Sequence, residues 1–180
     1  MDLKQVAVDM AKVFGDKLKG ETLREKVMRI ALNEVGTIEN PAGSNKTKYG
    51  EWYGMNGVAW CAIFCSWVYD QAGITLPEIN KGYDGLHYVP SGHNYWRKNK
   101  ELTTSPKMGD IVLFEFGNDN LDDHIGIFSH WDKEGESFYS VEGNTSFDSK
   151  GSQSNGGAVA LRKRFMKHVS GFASPKEINR

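Results

Sequence analysis

The sequence has little cysteine, no basic excess and no long apolar run, and each shortage removes a class of function. Two cysteines in 180 residues do not make the disulfide framework of a small secreted domain. Cys61 and Cys65 stand four apart in a helical pattern, which sets their Cβ atoms roughly 5 to 6 Å apart, beyond the roughly 3.8 Å of a disulfide. Both are read as free thiols. A formal charge of -1 and a pI near 6.5 supply no basic footprint for phosphate, so a nucleic-acid partner is not expected. No apolar stretch approaches the roughly 18 residues that span a bilayer, and Met1 to Met10 alternates charged with apolar residues where a signal peptide would have its apolar core. The chain is therefore expected to insert in no membrane and to lack a Sec signal. No internal repeat or low-complexity tract interrupts it. What is present, 39% hydrophobic and 25% charged residues, fits one globular domain with a full core.

Helical spacing of Leu3, Val6, Ala7, Met10, Val13, Phe14 and Leu18, stopped by Gly20, predicts an amphipathic helix. A second starts at Thr22, with Glu25 as its capping-box partner, and runs to Gly36. Residues 40–58 are rich in Gly, Asn and Ser yet hold Tyr49, Trp52 and Tyr53, so this loop is expected to pack. The apolar face of residues 60–73, ended by Gly73, predicts a buried central helix. The stretch from Ile74 to Met108 is turn-rich, with one short helix around His93 to Lys98. After Gly109 the period becomes two, and residues 110–116, 123–131, 136–143, 157–164 and 166–173 read as five strands. Helices followed by an antiparallel sheet make the class α+β.

Cys61 opens the central helix, where unpaired N–H groups and the helix dipole favour a thiolate; Asn56 and Gly57 precede it as loop or capping residues. Cys65, one turn further in, reads as a small buried hydrophobe. A thiol nucleophile needs a base and a group to orient that base. Of five histidines, His87 and His93 fall in turn-rich sequence, and His130 and His168 in strands where they can face solvent. His124 opens a strand beside a turn, where a side chain can enter a cleft from an anchored backbone. Glu142 ends the next strand and Asn144 follows two residues on, on the same face if the segment is extended. Either can orient the imidazole; a carboxylate would also stabilise an imidazolium.

In the loop NKTKYGEWYGMNG, the helix WCAIFCSWVYDQAGI, the strand entry PKMGDIVLF and the segments DHIGIF and VEGNTS, taken in that order over residues 22 to 172, the chain resembles the CHAP domains of phage endolysins and bacterial autolysins. The resemblance implies a papain-like α+β fold with about five strands. It implies a cysteine amidohydrolase acting on bacterial peptidoglycan, with Cys61 as nucleophile, His124 as base, Glu142 as orienting acid and Asn144 in support. Tyr49, Trp52, Tyr53 and Trp60 are candidates to line the substrate groove. Residues 1–20 would be a helical extension, 21–173 the catalytic domain and 174–180 a tail. A monomer made in a bacterial cytoplasm, and encoded by a phage or prophage, is the expected context. No cofactor is expected: some relatives bind calcium ahead of the cysteine, but here that stretch offers Glu51 alone, while Asp119, Asp122 and Asp123 cluster in a turn. The bond cut, whether the muramoyl to L-alanine amide or a peptide bond in stem or cross-bridge, stays open. The competing readings are a non-catalytic wall-binding module, which predicts a missing triad member, and a zinc protein, for which the paired ligand spacings are lacking.

Overall fold

Residues 2–15, 20–117, 119–148 and 150–179 are described by the structure, a computed structural model. Among them lie five α-helices: α1 (Leu3–Gly15), α2 (Leu23–Asn33), α3 (Lys48–Tyr53), α4 (Cys61–Gln71) and α5 (Val89–Lys98). Six strands follow, β1 (Leu102–Thr103), β2 (Ile111–Phe114), β3 (His124–Lys133), β4 (Ser137–Thr145), β5 (Ala158–Phe165) and β6 (Val169–Ala173). They form one antiparallel sheet in the order β1-β6-β2-β3-β4-β5. The class is α+β, as the change of period requires.

Local chemistry sets the helix ends. The Thr22 hydroxyl accepts from the Glu25 N–H at 3.2 Å while the Glu25 carboxylate accepts from the Thr22 N–H at 2.9 Å, completing the capping box. The α2 helix stops at Asn33, three residues short of Gly36, and α1 reaches Gly15, the expected end at Leu18 lying outside the described residues. Within the packed loop stands α3, too short to show a helical period. The Thr47 hydroxyl caps it and Gly54, at φ 77°, ends it. The α5 helix begins four residues before His93, with Pro90 in its first turn.

The sheet departs from the five strands expected. Its sixth member, β1, is two residues long, pairs with Phe172 and Ala173 of β6, and is too brief to carry an alternation. Met166–His168, expected to open the last strand, form a 3-10 turn instead. Alternation along the strands sends Ile111, Leu113, Ile125, Ile127, Val141, Val159 and Leu161 into the main core with the helices. The intervening Val112, Phe114, Phe128, Phe138 and Phe172 build a second, aromatic core on the opposite face. Burial on both faces gives β4 an unbroken buried pattern where a one-sided sheet would alternate. At the end of the chain, Ile178 joins the main core and Arg24 donates to Asp110 Oδ1 and Asn179 Oδ1, both at 2.7 Å.

Antiparallel order brings the end of β2, the start of β3, the end of β4 and the start of β5 to one edge of the molecule. No helix among the described residues is long and apolar enough to cross a membrane.

Candidate active site

Cys61 is the first residue of α4 and is 4% exposed. Trp60, at the N-cap position, makes no side-chain cap, so no side chain competes for the first-turn N–H groups. Asn56 does not cap this helix: its Oδ1 accepts from the Thr47 N–H at 2.9 Å and closes the loop around α3. Trp60 is fixed by Nε1 donating to Glu39 Oε1 at 3.0 Å, and Glu39 in turn accepts from the Asn45 N–H at 3.0 Å.

His124 is fully buried. Its Nε2 donates to Glu142 Oε2 at 2.9 Å, and its ring lies against Phe114 and Phe116, with centroids 5.7 and 6.0 Å away. The register explains the pairing. With Ile127 opposite Val141, residue 142 falls across from Gly126, and His124 lies diagonally beyond on the same face, within reach of a long side chain. A Cβ at Gly126 would lie 2.6 Å from Glu142 Cγ, so the carboxylate arm occupies the space that glycine leaves. With Nε2 taken, Nδ1 is the ring nitrogen left without a hydrogen-bond partner among the described residues, and Cys61 lies near enough to the ring to raise its pKa. A neutral imidazole in this tautomer offers its lone pair to the thiol proton.

Glu142 is held by more than His124. Arg164 donates Nε to Oε1 at 2.8 Å and Nη2 to Oε2, and the Ser140 hydroxyl donates to Oε1 at 2.6 Å. Arg164 also donates to Gln153 Oε1 at 2.7 Å and stacks over the Phe114 and Phe116 rings, 5.4 and 5.2 Å from their centroids. Burial is the largest single influence on Glu142 and acts to raise its pKa, but the charge and hydrogen bonds of Arg164, then His124, outweigh it and hold the carboxyl at about 2. Burial is likewise the largest influence on His124 and acts downward; the neighbouring Cys61 and Glu142, the latter accepting from Nε2, overcome it and raise the imidazole to about 9. Burial lifts the Cys65 thiol well above its ordinary range, helped by Cys61 and Glu142, which leaves it inert.

Asn144 does not reach the imidazole. The ladder shifts register between Glu142 and Thr145, and Asn144 takes φ 54°, so the two-residue spacing from Glu142 no longer means one face. Its Oδ1 accepts from the Gly157 N–H at 3.2 Å and its Nδ2 donates to Asn45 Oδ1 at 3.4 Å, tying the loop ahead of α3 to the start of β5.

The aromatic candidates divide. Tyr49 and Trp60 are fully buried, stacked at 5.4 Å, and hold α3 against α4. Tyr53 is nearly buried and stacks on Tyr83 at 5.1 Å, while Trp52 is 40% exposed. Sequence reasoning passed over Arg164, Ser140 and Glu39. For the first two, alternation carries the signal, since Glu142 pairs with Ala160 and every second residue from there along β5 shares its face. His93, where the expected short helix was to begin, sits within α5 with Nδ1 bonded to Asp122 Oδ2 at 2.5 Å. Asp119 and Asp123 accept from the Leu121 and Phe116 N–H groups, and no cluster of three or more His, Cys, Asp or Glu side chains able to hold a metal occurs among the described residues.

A search of curated proteins finds no match to this chain. The family model described as the CHAP domain matches residues 52–144, from the end of α3 through Asn144, just over half of the chain. The matched span holds the cysteine helix, the histidine strand and Glu142, on the papain-like α+β plan that this family has. The chain belongs to the CHAP domain family, whose members act as hydrolases or amidases on peptidoglycan.

Proposed function

We propose that the chain is a cysteine amidohydrolase that cuts an amide bond in the peptide stem or cross-bridge of peptidoglycan and so lyses the wall, in the manner of an endolysin. The observation that supports this most directly is one imidazole bonded through Nε2 to a buried carboxylate, with its other nitrogen unpartnered among the described residues and a helix-N-terminal thiol near enough to raise its pKa. His124 takes the Cys61 proton at Nδ1, and the sulfur attacks the amide carbonyl carbon. The oxyanion gathers its hydrogen bonds from the Cys61 N–H at the uncapped start of α4. As the C–N bond breaks, His124 returns its proton to the leaving amine, and water, deprotonated by the same imidazole, releases the acyl group from sulfur. Glu142 keeps the ring in the tautomer that exposes Nδ1 and stabilises the imidazolium between steps. Asn144 supports the site by fixing the backbone at the end of β4.

Loss of turbidity of purified cell walls, compared between the wild-type chain and Cys61→Ala, tests the reading. Lysis by the wild type and none by the variant is expected, and equal lysis by both would sink it. Mass spectrometry of the fragments then identifies the bond: a new free L-alanine amino terminus marks the muramoyl amide, and any other new terminus marks a peptide bond.

A further inference from the structure

Away from the cysteine, α3, α4 and the loop that ends at Gly85 enclose a cleft of about 330 Å³. Its walls are rigidly joined. A Cβ on Gly85 would come within 2.6 Å of the Ser66 hydroxyl, and that hydroxyl donates to the Leu86 carbonyl and accepts from the Leu86 N–H, both at 2.9 Å. The loop is thereby seated on α4, which faces Tyr83 and Asp84 toward Asp70 of α4 and Trp52 of α3 across the cleft. Trp52 and Tyr83 are 40% and 37% exposed, a large apolar outlay for a polar surface.

The charged side chains that line the cleft, Asp70 and Asp84, are both carboxylates. Asp70 and Asp84 make no ion pair among the described residues, and no lysine or arginine lines the cleft among them. The Tyr53 hydroxyl, in a side chain more than nine-tenths buried, has no hydrogen-bond partner. Two carboxylates, exposed aromatic rings and an orphan phenol complement a ligand that carries positive charge, donates hydrogen bonds and presents its charge to rings.

We propose that this cleft is a subsite for a primary ammonium group carried by the wall polymer. The inference rests on the hydrolase reading for its choice of polymer. Ser66 and Asp70 lie five and nine residues along α4 from Cys61, which is roughly 7.5 and 13.5 Å of helix rise and roughly 140° and 180° of turn, so the cleft is on the side of α4 turned away from the sulfur. The amine it holds and the amide at the sulfur are therefore carried by separate parts of the wall polymer, and the cleft selects wall strands by their free amine.

The test uses the full chain carrying Cys61→Ala, so that nothing is consumed, titrated with a soluble muropeptide bearing one free primary amine and with the same muropeptide after N-acetylation. Acetylation is expected to weaken binding roughly tenfold, and Asp70→Asn with Asp84→Asn, two exposed positions, is expected to abolish that difference. Equal binding of the two forms, no binding of either, or a difference that survives both substitutions would overturn the subsite. Wall lysis by the chain with Cys61 intact is measured alongside. If it lyses walls without discriminating the amine, the subsite alone falls; if it lyses nothing, the hydrolase reading falls with it.

Discussion

Both carboxylate oxygens of Glu142 accept hydrogen bonds from one guanidinium, that of Arg164 on the neighbouring strand. A carboxylate buried beside an imidazole would otherwise favour its neutral form, so Arg164 is what keeps Glu142 charged. Removing one partner of a buried ion pair costs about 3–5 kcal/mol, because the other charge is left without a counterpart. Arg164→Ala is expected to lower unfolding free energy by that amount in urea titrations. Arg164→Lys should restore only part of it, since an ammonium cannot donate along the two directions that the guanidinium fork serves.

Glu142 and Asn144 answer to different measurements. Glu142→Gln leaves an amide at the imidazole with no charge to stabilise the imidazolium, and kcat for wall hydrolysis is expected to fall on the order of 10² to 10⁴-fold. Asn144 bonds to Asn45 and to the backbone at Gly156 and Gly157, away from the imidazole, and it sits at φ 54°. Asn144→Ala should therefore lower the melting temperature while kcat, measured well below that temperature, stays within a few fold. The reverse order of effects on kcat would mean that Asn144 is the orienting group.

The pH behaviour follows from the same pair. His124 is raised from 6.5 to about 9, so its contribution to stability is complete below pH 6.5 and is lost as the pH climbs through about 9. Glu142 is lowered from 4.5 to about 2, so its contribution is complete above pH 4.5 and is lost as the pH falls toward about 2. Together they place the greatest stabilisation from this pair between pH 4.5 and 6.5, and melting temperatures across pH should show a plateau there that Glu142→Gln flattens. Activity should fall on the alkaline side near pH 9, where the proton owed to the leaving amine is gone. In Glu142→Gln that limb is expected to move to lower pH, because a charge that raises the imidazole has been removed.

Much of this was legible in the sequence because it was written in short-range chemistry. Cys61 at a helix start, His124 at a strand start and Glu142 at the end of the next strand are each local signals, and antiparallel order brings them together. The features that were not legible depend on register or on partners far along the chain. Arg164 stands in the run Arg162-Lys163-Arg164, which reads as a solvated strand end until pairing with β4 turns alternate residues onto the Glu142 face. Asn144 looked extended because nothing in VEGN announces a bulge. Trp60 and Tyr49 looked like groove walls, but an aromatic ring beside a helix start carries no mark of which side it packs on; Glu39 and Glu34, distant in sequence, draw them inward.

The two thiols should separate chemically. Cys65 is fully buried with its ionisation suppressed, whereas Cys61 stands at the helix start, near enough to His124 to raise the pKa of its imidazole. Iodoacetamide at neutral pH is expected to alkylate Cys61 alone, as read by peptide mapping, and to abolish wall lysis in step with that modification. Modification of Cys65 at a comparable rate would show that the α4 environment does not distinguish the two.

Gly126 and Gly143 allow a last separation, between the placing of the acid and the placing of the helix. Neither has a positive φ, so alanine at either position acts through the space its methyl takes. At Gly143 that methyl would lie 2.6 Å from Phe64 Cβ and 2.9 Å from the Trp60 ring, both anchored in the core, so α4 must shift; the cost is expected to be about 1–3 kcal/mol of stability. At Gly126 it would lie 2.6 Å from Glu142 Cγ, which drives the acid off the imidazole and leaves the helix in place. Gly126→Ala should therefore reproduce the kcat loss and the lowered alkaline limb of Glu142→Gln while Cys61 alkylation persists. A Gly126→Ala enzyme with the wild-type pH profile would mean that Glu142 finds another path to His124, and that its position opposite a glycine is not what sets the base.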